Sequence, residues 1–280
     1  MTKILCIAGP TASGKSARAV EEALARNGEV ISVDSRQVYR GLDIGTEKIT
    51  KEEMRGVLHH LIDIRDPHET YSAGDFVADA TRLIKDISAR GKLPILVGGT
   101  HFYFDALLRP VPEIAANQTF RAEIEGLSNE ELHVRVRSAD PRRAVELDPK
   151  NRRRLIRALE IISSLGSVPS RDIVSPYIVQ WIVIDPPKEE LRTRIDARLK
   201  QALGRGLVDE VRRVRNQVGD ARLNELGLEY RIIGEYLQKW PTPGVGQIEE
   251  ALLPILSAKL WQYARRQKAW LRKLKVLDQE

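Results

Sequence analysis

The sequence predicts an α/β fold, a parallel sheet flanked by helices and interrupted by a helical insertion domain. Three observations predict it. Short apolar runs of strand length alternate with longer segments of helical spacing. The first apolar run ends in the glycine-containing stretch GPTASGKS, Gly9 to Ser16. Strand-like runs then vanish between Pro110 and about Ser170. Strand–helix–strand alternation demands right-handed crossovers, which put helices on both faces of a parallel sheet.

The elements follow in order. Lys3 to Ala8 is a buried parallel strand ending at glycine, Gly14 to Arg26 a helix and Val30 to Val33 a second strand. Phe76 to Ala89 has helical spacing, and Leu93 to Val97 is a third strand closed by Gly98-Gly99. In the insertion, short helical segments rich in Arg and Glu replace strands; Pro149 suits the first turn of a helix reaching Ser164, with Asp148 as its cap. Ile178 to Ile184 is a further core strand, ended by Asp185-Pro186-Pro187. Beyond Lys188 the pattern is helical, broken at Gly204 to Gly206, Gly219, Gly227 and the PTPGVG turn, Pro241 to Gly246. The expected domains are 1–109 with 173–280 as the α/β core, and 110–172 as the insertion.

The pattern GxxxxGK[ST] is met by Gly9, Gly14, Lys15 and Ser16, and the intervening Pro10, Thr11, Ala12 and Ser13 complete the loop. It follows a strand and opens a helix, the context a P-loop requires. Successive backbone N–H groups and the helix N-terminus surround an anion, Lys15 adds a mobile charge, and the Ser16 hydroxyl suits a Mg2+ ion. The fold expected is therefore P-loop NTPase-like. No later strand ends in the usual acidic pair; the acidic group at a strand end is Asp34, closing VISVD. Ligands of such sheets gather at the carboxyl ends of strands, so Asp34 should lie beside the loop, as a magnesium ligand, a proton acceptor or a turn residue.

The chain has 280 residues and a net charge of +6. Between Leu256 and Leu277 there are seven basic residues and no acidic ones, leaving 38 basic against 39 acidic elsewhere. A helix from about Ile248 to Leu274 sets Trp261, Arg265, Lys268, Arg272 and Lys275 on one face, with Leu253, Leu256, Leu260, Ala264, Leu271 and Leu274 on an apolar one. Lys150, Arg152, Arg153, Arg154 and Arg157 form a second basic cluster. Two clusters favour contact with a polyanion such as RNA over solvated faces. The single cysteine, Cys6, excludes an intramolecular disulfide and reads as a small buried hydrophobe. The five histidines lack ligand spacing, so zinc is not implied. No run approaches a membrane span and no signal-peptide pattern opens the chain, so a cytoplasmic protein is expected.

GPTASGKS followed by ISVDSRQVYRGLDIGTEK resembles the start of the tRNA dimethylallyltransferase (tRNA isopentenyltransferase) family. The similarity continues through HHLIDIRDPHETYSAGDF, PILVGGT, DPKNRRRLIRALEI, GRGLVDEVRRVR, LGLEYRIIGEYL and YARRQKAWLRKL, in order and over most of the chain. The resemblance implies a prenyltransferase with two substrates, dimethylallyl diphosphate and tRNA, working with Mg2+; the sequence does not give the oligomeric state, though the chain could work as a monomer. It moves the dimethylallyl group to N6 of the adenosine immediately 3′ of the anticodon. It further implies that Asp34 is the general base and that Thr11 bonds near the bridging oxygen. Thr100 would line the channel where nucleotide and diphosphate meet, and Asp34, Ser35, Arg36 and Gln37 would grip the base. The segments Arg153 to Arg157 and Leu226 to Arg231, including Tyr230, would touch tRNA, with Arg231 a further cation for diphosphate or phosphodiester. Arg265, Lys268 and Arg272 would add phosphate contacts. Tyr39 and Tyr103 could stack on a base or pack in the core.

Three positions depart from the family pattern. His101-Phe102 follows GGT where a glycine is usual, Glu229 stands where glycine is common, and Ser16 replaces the more frequent threonine. Two rival readings use the same loop. A small-molecule or nucleotide kinase would employ ATP, with the 152–157 arginines as a lid, and an RNA-binding switch would have no catalysis. The kinase reading leaves the ordered later blocks and the basic tail unexplained.

Overall fold

A computed structural model describes residues 1–109, 114, 117–169, 175–240 and 245–277, excluding the side chains of 245–249 and 273–277. The chain divides into two compact units, Met1–Leu108 with Ser175–Glu280, and Arg109–Val174.

The first unit begins β1 (Thr2–Ala8), α1 (Lys15–Ala25), β2 (Gly28–Val33), α2 (Lys51–Met54), β3 (His59–His60), α3 (Ala73–Ala89), β4 (Leu93–Gly98) and α4 (His101–Leu108). The second holds α5 (Gln118–Ile124), α6 (Asn129–Ala139), α7 (Pro141–Glu146) and α8 (Arg152–Leu165). The chain then returns through β5 (Tyr177–Val183), α9 (Lys188–Gly204), α10 (Leu207–Leu223), α11 (Leu228–Lys239) and α12 (Val245–Leu277).

All sheet pairings are parallel, in the order β3-β2-β4-β1-β5. Side chains alternate across a strand, and the burial follows. Ile4, Cys6 and Ala8 join a core with Phe76, Phe104, Leu191, Ile195 and Leu256, whereas Leu5 and Ile7 pack with Ala19, Val20 and Ala23 of α1. Helices thus cover both faces, as the strand–helix alternation predicts. Burial on both sides explains why β1 reads as a continuous apolar run.

Several sequence expectations need correction. The helix placed at Pro149 starts at Arg152, because Asn151, not Asp148, caps it through a bond from the Arg154 N–H at 3.2 Å. Asp148 instead accepts from the Lys150 N–H at 2.9 Å, a local turn that competes with helix initiation. The two-residue β3 is too short to leave a pattern. The first four residues of the expected Pro241–Gly246 turn lie outside the described residues, and Val245 already opens α12. The side chains of Leu274 and Lys275 are likewise outside them.

Candidate active site

The carboxyl ends of β1, β2 and β4 meet at one cavity of about 750 Å³, lined by the loop from Thr11 to Ser16, by Asp34 to Gln37 and by Gly98 to Thr100. β1 runs into the loop, where Ala12 (φ 60°) and Gly14 (φ 85°) turn the chain in the left-handed region. The first helical bond runs from Arg18 N to Gly14 O at 3.2 Å. The N–H groups just before it point from the helix N-terminus with no helical acceptor, which is the anion-binding geometry.

Gly98 allows β4 to end against β2, since a Cβ there would lie 2.0 Å from Val33 O. Thr100 follows, its N–H donating to Val33 O at 3.2 Å and its Oγ1 accepting from Ser35 N at 3.2 Å. These bonds fix the turn carrying Asp34. Asp34 Oδ1 accepts from Arg36 N at 2.8 Å and from Gln37 N at 3.3 Å, while Oδ2 has no protein partner among the described residues. Gln37 in turn donates through Nε2 to Thr46 O and Glu47 O, both at 3.1 Å.

Lys15 Nζ donates to Pro10 O at 3.2 Å. Burial pulls its ammonium down to about 8, opposed by the Asp34 carboxylate and reinforced by the Arg198 guanidinium. The lysine is thus primed for an anionic neighbour and loosely tied without one. Ser16 lines the cavity, and Ser13 Oγ is buried without a hydrogen-bond partner among the described residues. All the expected loop residues, with Asp34 to Gln37, Thr100 and Arg231, fall at this one end of the sheet.

Other expected residues are engaged within the protein. Tyr230 is 1% exposed, and its hydroxyl donates to Glu210 Oε1 at 2.7 Å, so its side chain packs in the core at the border of the cavity. Lys268 is partly buried, forms an ion pair with Asp185 at 2.5 Å and donates to Pro186 O at 2.6 Å, so its charge is engaged within the protein. Arg265 and Arg272 remain exposed. Tyr39 and Tyr103 are both buried, the latter stacked on Phe76 at 4.5 Å, so the core alternative holds.

In the second unit the basic cluster splits. Arg152 donates to the carbonyls of Ile124, Glu125 and Leu127, and Arg157 to Ile114 O and Glu160 Oε2, so both tie the unit together. Arg153 and Arg154 are exposed, without an ion-pair partner among the described residues.

Sequence reasoning missed several groups that line the cavity or bond to its loop. Arg198 donates to Thr11 Oγ1 and pairs with Glu47 at 3.4 Å and Glu229 at 3.9 Å. Its neighbour one turn earlier, Arg194, donates to Ser13 O at 3.3 Å. The signal was slight: each arginine directly precedes a buried position of α9, Ile195 or Leu199, at the edge of its packed face. Gln267 is 4% exposed and sits at a core position between Ala264 and Leu271. A polar residue on an apolar helix face needs partners. Tyr263 and Arg266 also line the cavity. Burial, with the nearby Asp34 and Glu229 carboxylates, pushes the Tyr263 hydroxyl up to about 12, and burial likewise raises the Glu229 carboxyl. His101 stacks flat on Trp270 at 4.1 Å, and burial lowers its ring to about 4.

No helix of the described residues is long and apolar enough to cross a membrane.

Residues 37–274 match the family model described as IPP transferase. A tRNA dimethylallyltransferase from Thermomicrobium roseum is 43% identical, covering 98% of this chain and 85% of that protein. One from Halalkalibacterium halodurans is 40% identical over 96% and 88%. Among solved structures, the full-length tRNA isopentenylpyrophosphate transferase from Bacillus halodurans superposes with a TM-score of 0.71 at 40% identity, covering 97% of this chain and 87% of the other. A eukaryotic dimethylallyltransferase, described as acting on tRNA, gives 0.84 at 29% identity, covering 97% and 70%. With a family model spanning most of its length and relatives of this identity at near-full coverage, the chain belongs to the IPP transferase family.

Proposed function

We propose that the chain transfers a dimethylallyl group from dimethylallyl diphosphate to N6 of the tRNA adenosine immediately 3′ of the anticodon. One observation carries the reading: a phosphate loop and a strand-end carboxylate, Lys15 and Asp34, share a cavity and interact electrostatically.

The N6 amine attacks C1 of the donor, the C1–O bond to diphosphate breaks, and the N6 proton passes to Asp34. Two backbone N–H groups hold Oδ1, leaving Oδ2 to face the incoming amine. The leaving diphosphate is received by the loop N–H groups and Lys15. Because Arg198 already donates into Thr11 Oγ1, the Thr11 hydroxyl proton is directed elsewhere, toward the bridging oxygen. Arg231 lines the same cavity as a further cation.

The Ser16 hydroxyl is a hard oxygen donor at the helix N-terminus, which fits a Mg2+ ion held by few protein groups and by phosphate oxygens. Held there, Mg2+ would supply neutralisation of the charge developing on the diphosphate.

A stacked anticodon-loop base must be extruded to reach Asp34, at a cost of roughly a few kcal/mol of unstacking. Tyr263, 38% exposed and lining the cavity, is the aromatic placed to receive it, with Arg36 and Arg266 beside it. Arg265 and Arg272 of α12, and Arg153 and Arg154 of the insertion, supply phosphate contacts. The enzyme works as a cytoplasmic monomer.

Radiolabelled dimethylallyl diphosphate incubated with the protein and unmodified tRNA tests this. Label is expected in tRNA, on the adenosine 3′ of the anticodon. Failure of label to reach tRNA, or phosphate transfer from ATP to a small acceptor, would overturn it.

A further inference from the structure

Glu210 of α10 is not among the residues lining the cavity, and it is 2% exposed. Among the described residues no cation hydrogen-bonds to it, and Arg213 lies 3.9 Å away. The charge is met instead by three consecutive backbone N–H groups. Oε2 accepts from Asp43 at 3.0 Å and Ile44 at 2.8 Å, and Oε1 accepts from Gly45 at 2.9 Å and from the Tyr230 hydroxyl at 2.7 Å. Four donors fill the carboxylate's four lone-pair directions. The fit is close on both sides, because a Cβ on Gly45 would come within 2.8 Å of the Tyr230 ring.

A buried charge is costly unless it is fully bonded, so this arrangement needs a loop held in one conformation. The next two residues are the ones that matter to the cavity. Thr46 O and Glu47 O accept both amide hydrogens of Gln37, whose own N–H donates to Asp34 Oδ1. The Glu47 carboxylate pairs with Arg198, which donates to Thr11.

We infer that Glu210 is a positioning residue, which acts through the 43–47 loop and Gln37 to hold Asp34 in its reactive orientation. The inference rests on the proton-acceptor role given to Asp34 above. Misplacing a reacting group by a fraction of an ångström is expensive. The charge is specifically required, because an amide would turn one end of the group into a donor facing N–H or O–H donors.

The test compares wild type with Glu210→Gln, measuring kcat, KM for both substrates, tRNA affinity and amide hydrogen exchange. Glu210→Asp, which keeps the charge and shortens the reach by one methylene, serves where Glu210→Gln does not fold. The expected result is a kcat lower by about 10- to 100-fold, with tRNA affinity and KM for dimethylallyl diphosphate within about threefold. Exchange should rise both in 43–47 and in 35–37. In a Gln37→Ala background the Glu210 substitution should cost far less than in wild type, since the connection is already cut. Wild-type kcat in a folded Glu210 variant, additive effects with Gln37→Ala, or exchange confined to 43–47 would each overturn the inference. If the wild-type protein transfers no prenyl group, the catalytic reading fails, and the exchange coupling between 43–47 and 35–37 still decides whether Glu210 holds the Asp34 turn.

Discussion

Gln267 holds Thr11 from 256 residues away: its Oε1 accepts the Thr11 N–H at 2.9 Å, while its Nε2 donates to Gly99 O at 2.9 Å. One buried amide therefore joins the long carboxyl-terminal helix to the phosphate loop and to the turn after β4. Gln267→Leu leaves both backbone groups orphaned, at about 1–3 kcal/mol each. Thermal denaturation should show a lower Tm, and titration with dimethylallyl diphosphate should show weaker binding. An unchanged Tm and affinity would show that the two groups find other partners.

Asp34→Ala should abolish transfer, a loss of about 10²–10⁴-fold for a general base, while tRNA binding stays near wild type. Single-turnover transfer and filter binding measure the two separately. Near-normal transfer would reject the proton-acceptor role.

Lys15 is charged below about pH 8 and loses its charge above it, because burial opposes the ammonium form. Affinity for dimethylallyl diphosphate should therefore fall as pH rises through 8. Lys15→Arg keeps a permanent charge and should show a flatter profile between pH 7 and 9. Equal slopes for the two proteins would remove Lys15 from diphosphate binding.

Arg153 and Arg154 are exposed, whereas Arg152 is bonded to three carbonyls. Arg153→Ala with Arg154→Ala should weaken tRNA binding and flatten its salt dependence by about 1–2 units of slope, with Tm unchanged. Arg152→Ala should do the reverse, lowering Tm. A Tm loss from the first pair would instead assign those two residues to the fold.

Glu29 is buried at the start of β2 and accepts from Arg90, Lys92 and His60. The Arg90 hydrogen bonds foremost hold its carboxyl far below the ordinary 4.5. A depressed carboxylate contributes stability above pH 4.5 that is lost as pH falls. Glu29→Gln should lower Tm at pH 7 and flatten the Tm profile below pH 5.

Much of this was legible in the chain because it is written in local patterns. Apolar runs with glycine exits announce β1 and β4, and GxxxxGK[ST] announces the loop whatever the rest does. Asp34 could be placed from the rule that ligands gather at strand ends. Long-range pairing left no such mark. Tyr230 and Arg231 are adjacent in one motif, yet helix periodicity buries the first and exposes the second. Lys268 looks like its neighbours Arg265 and Arg272 until Asp185 comes to meet it. Gln267 and Arg198 were visible only as polar residues beside apolar helical positions, and their partners lie far off in sequence.

The pairing of β5 with β1 bears on how the chain assembles. Every residue from Thr2 to Ala8 is matched by one from Tyr177 to Val183. The strand that leads into the phosphate loop thus waits, during synthesis, for a partner emerging after the whole second unit. Until then its outer edge is an open template for other strands, and the contact is slow to find because it spans so much chain. A nascent chain halted before Tyr177 would carry every residue of the phosphate loop without the strand that closes its sheet.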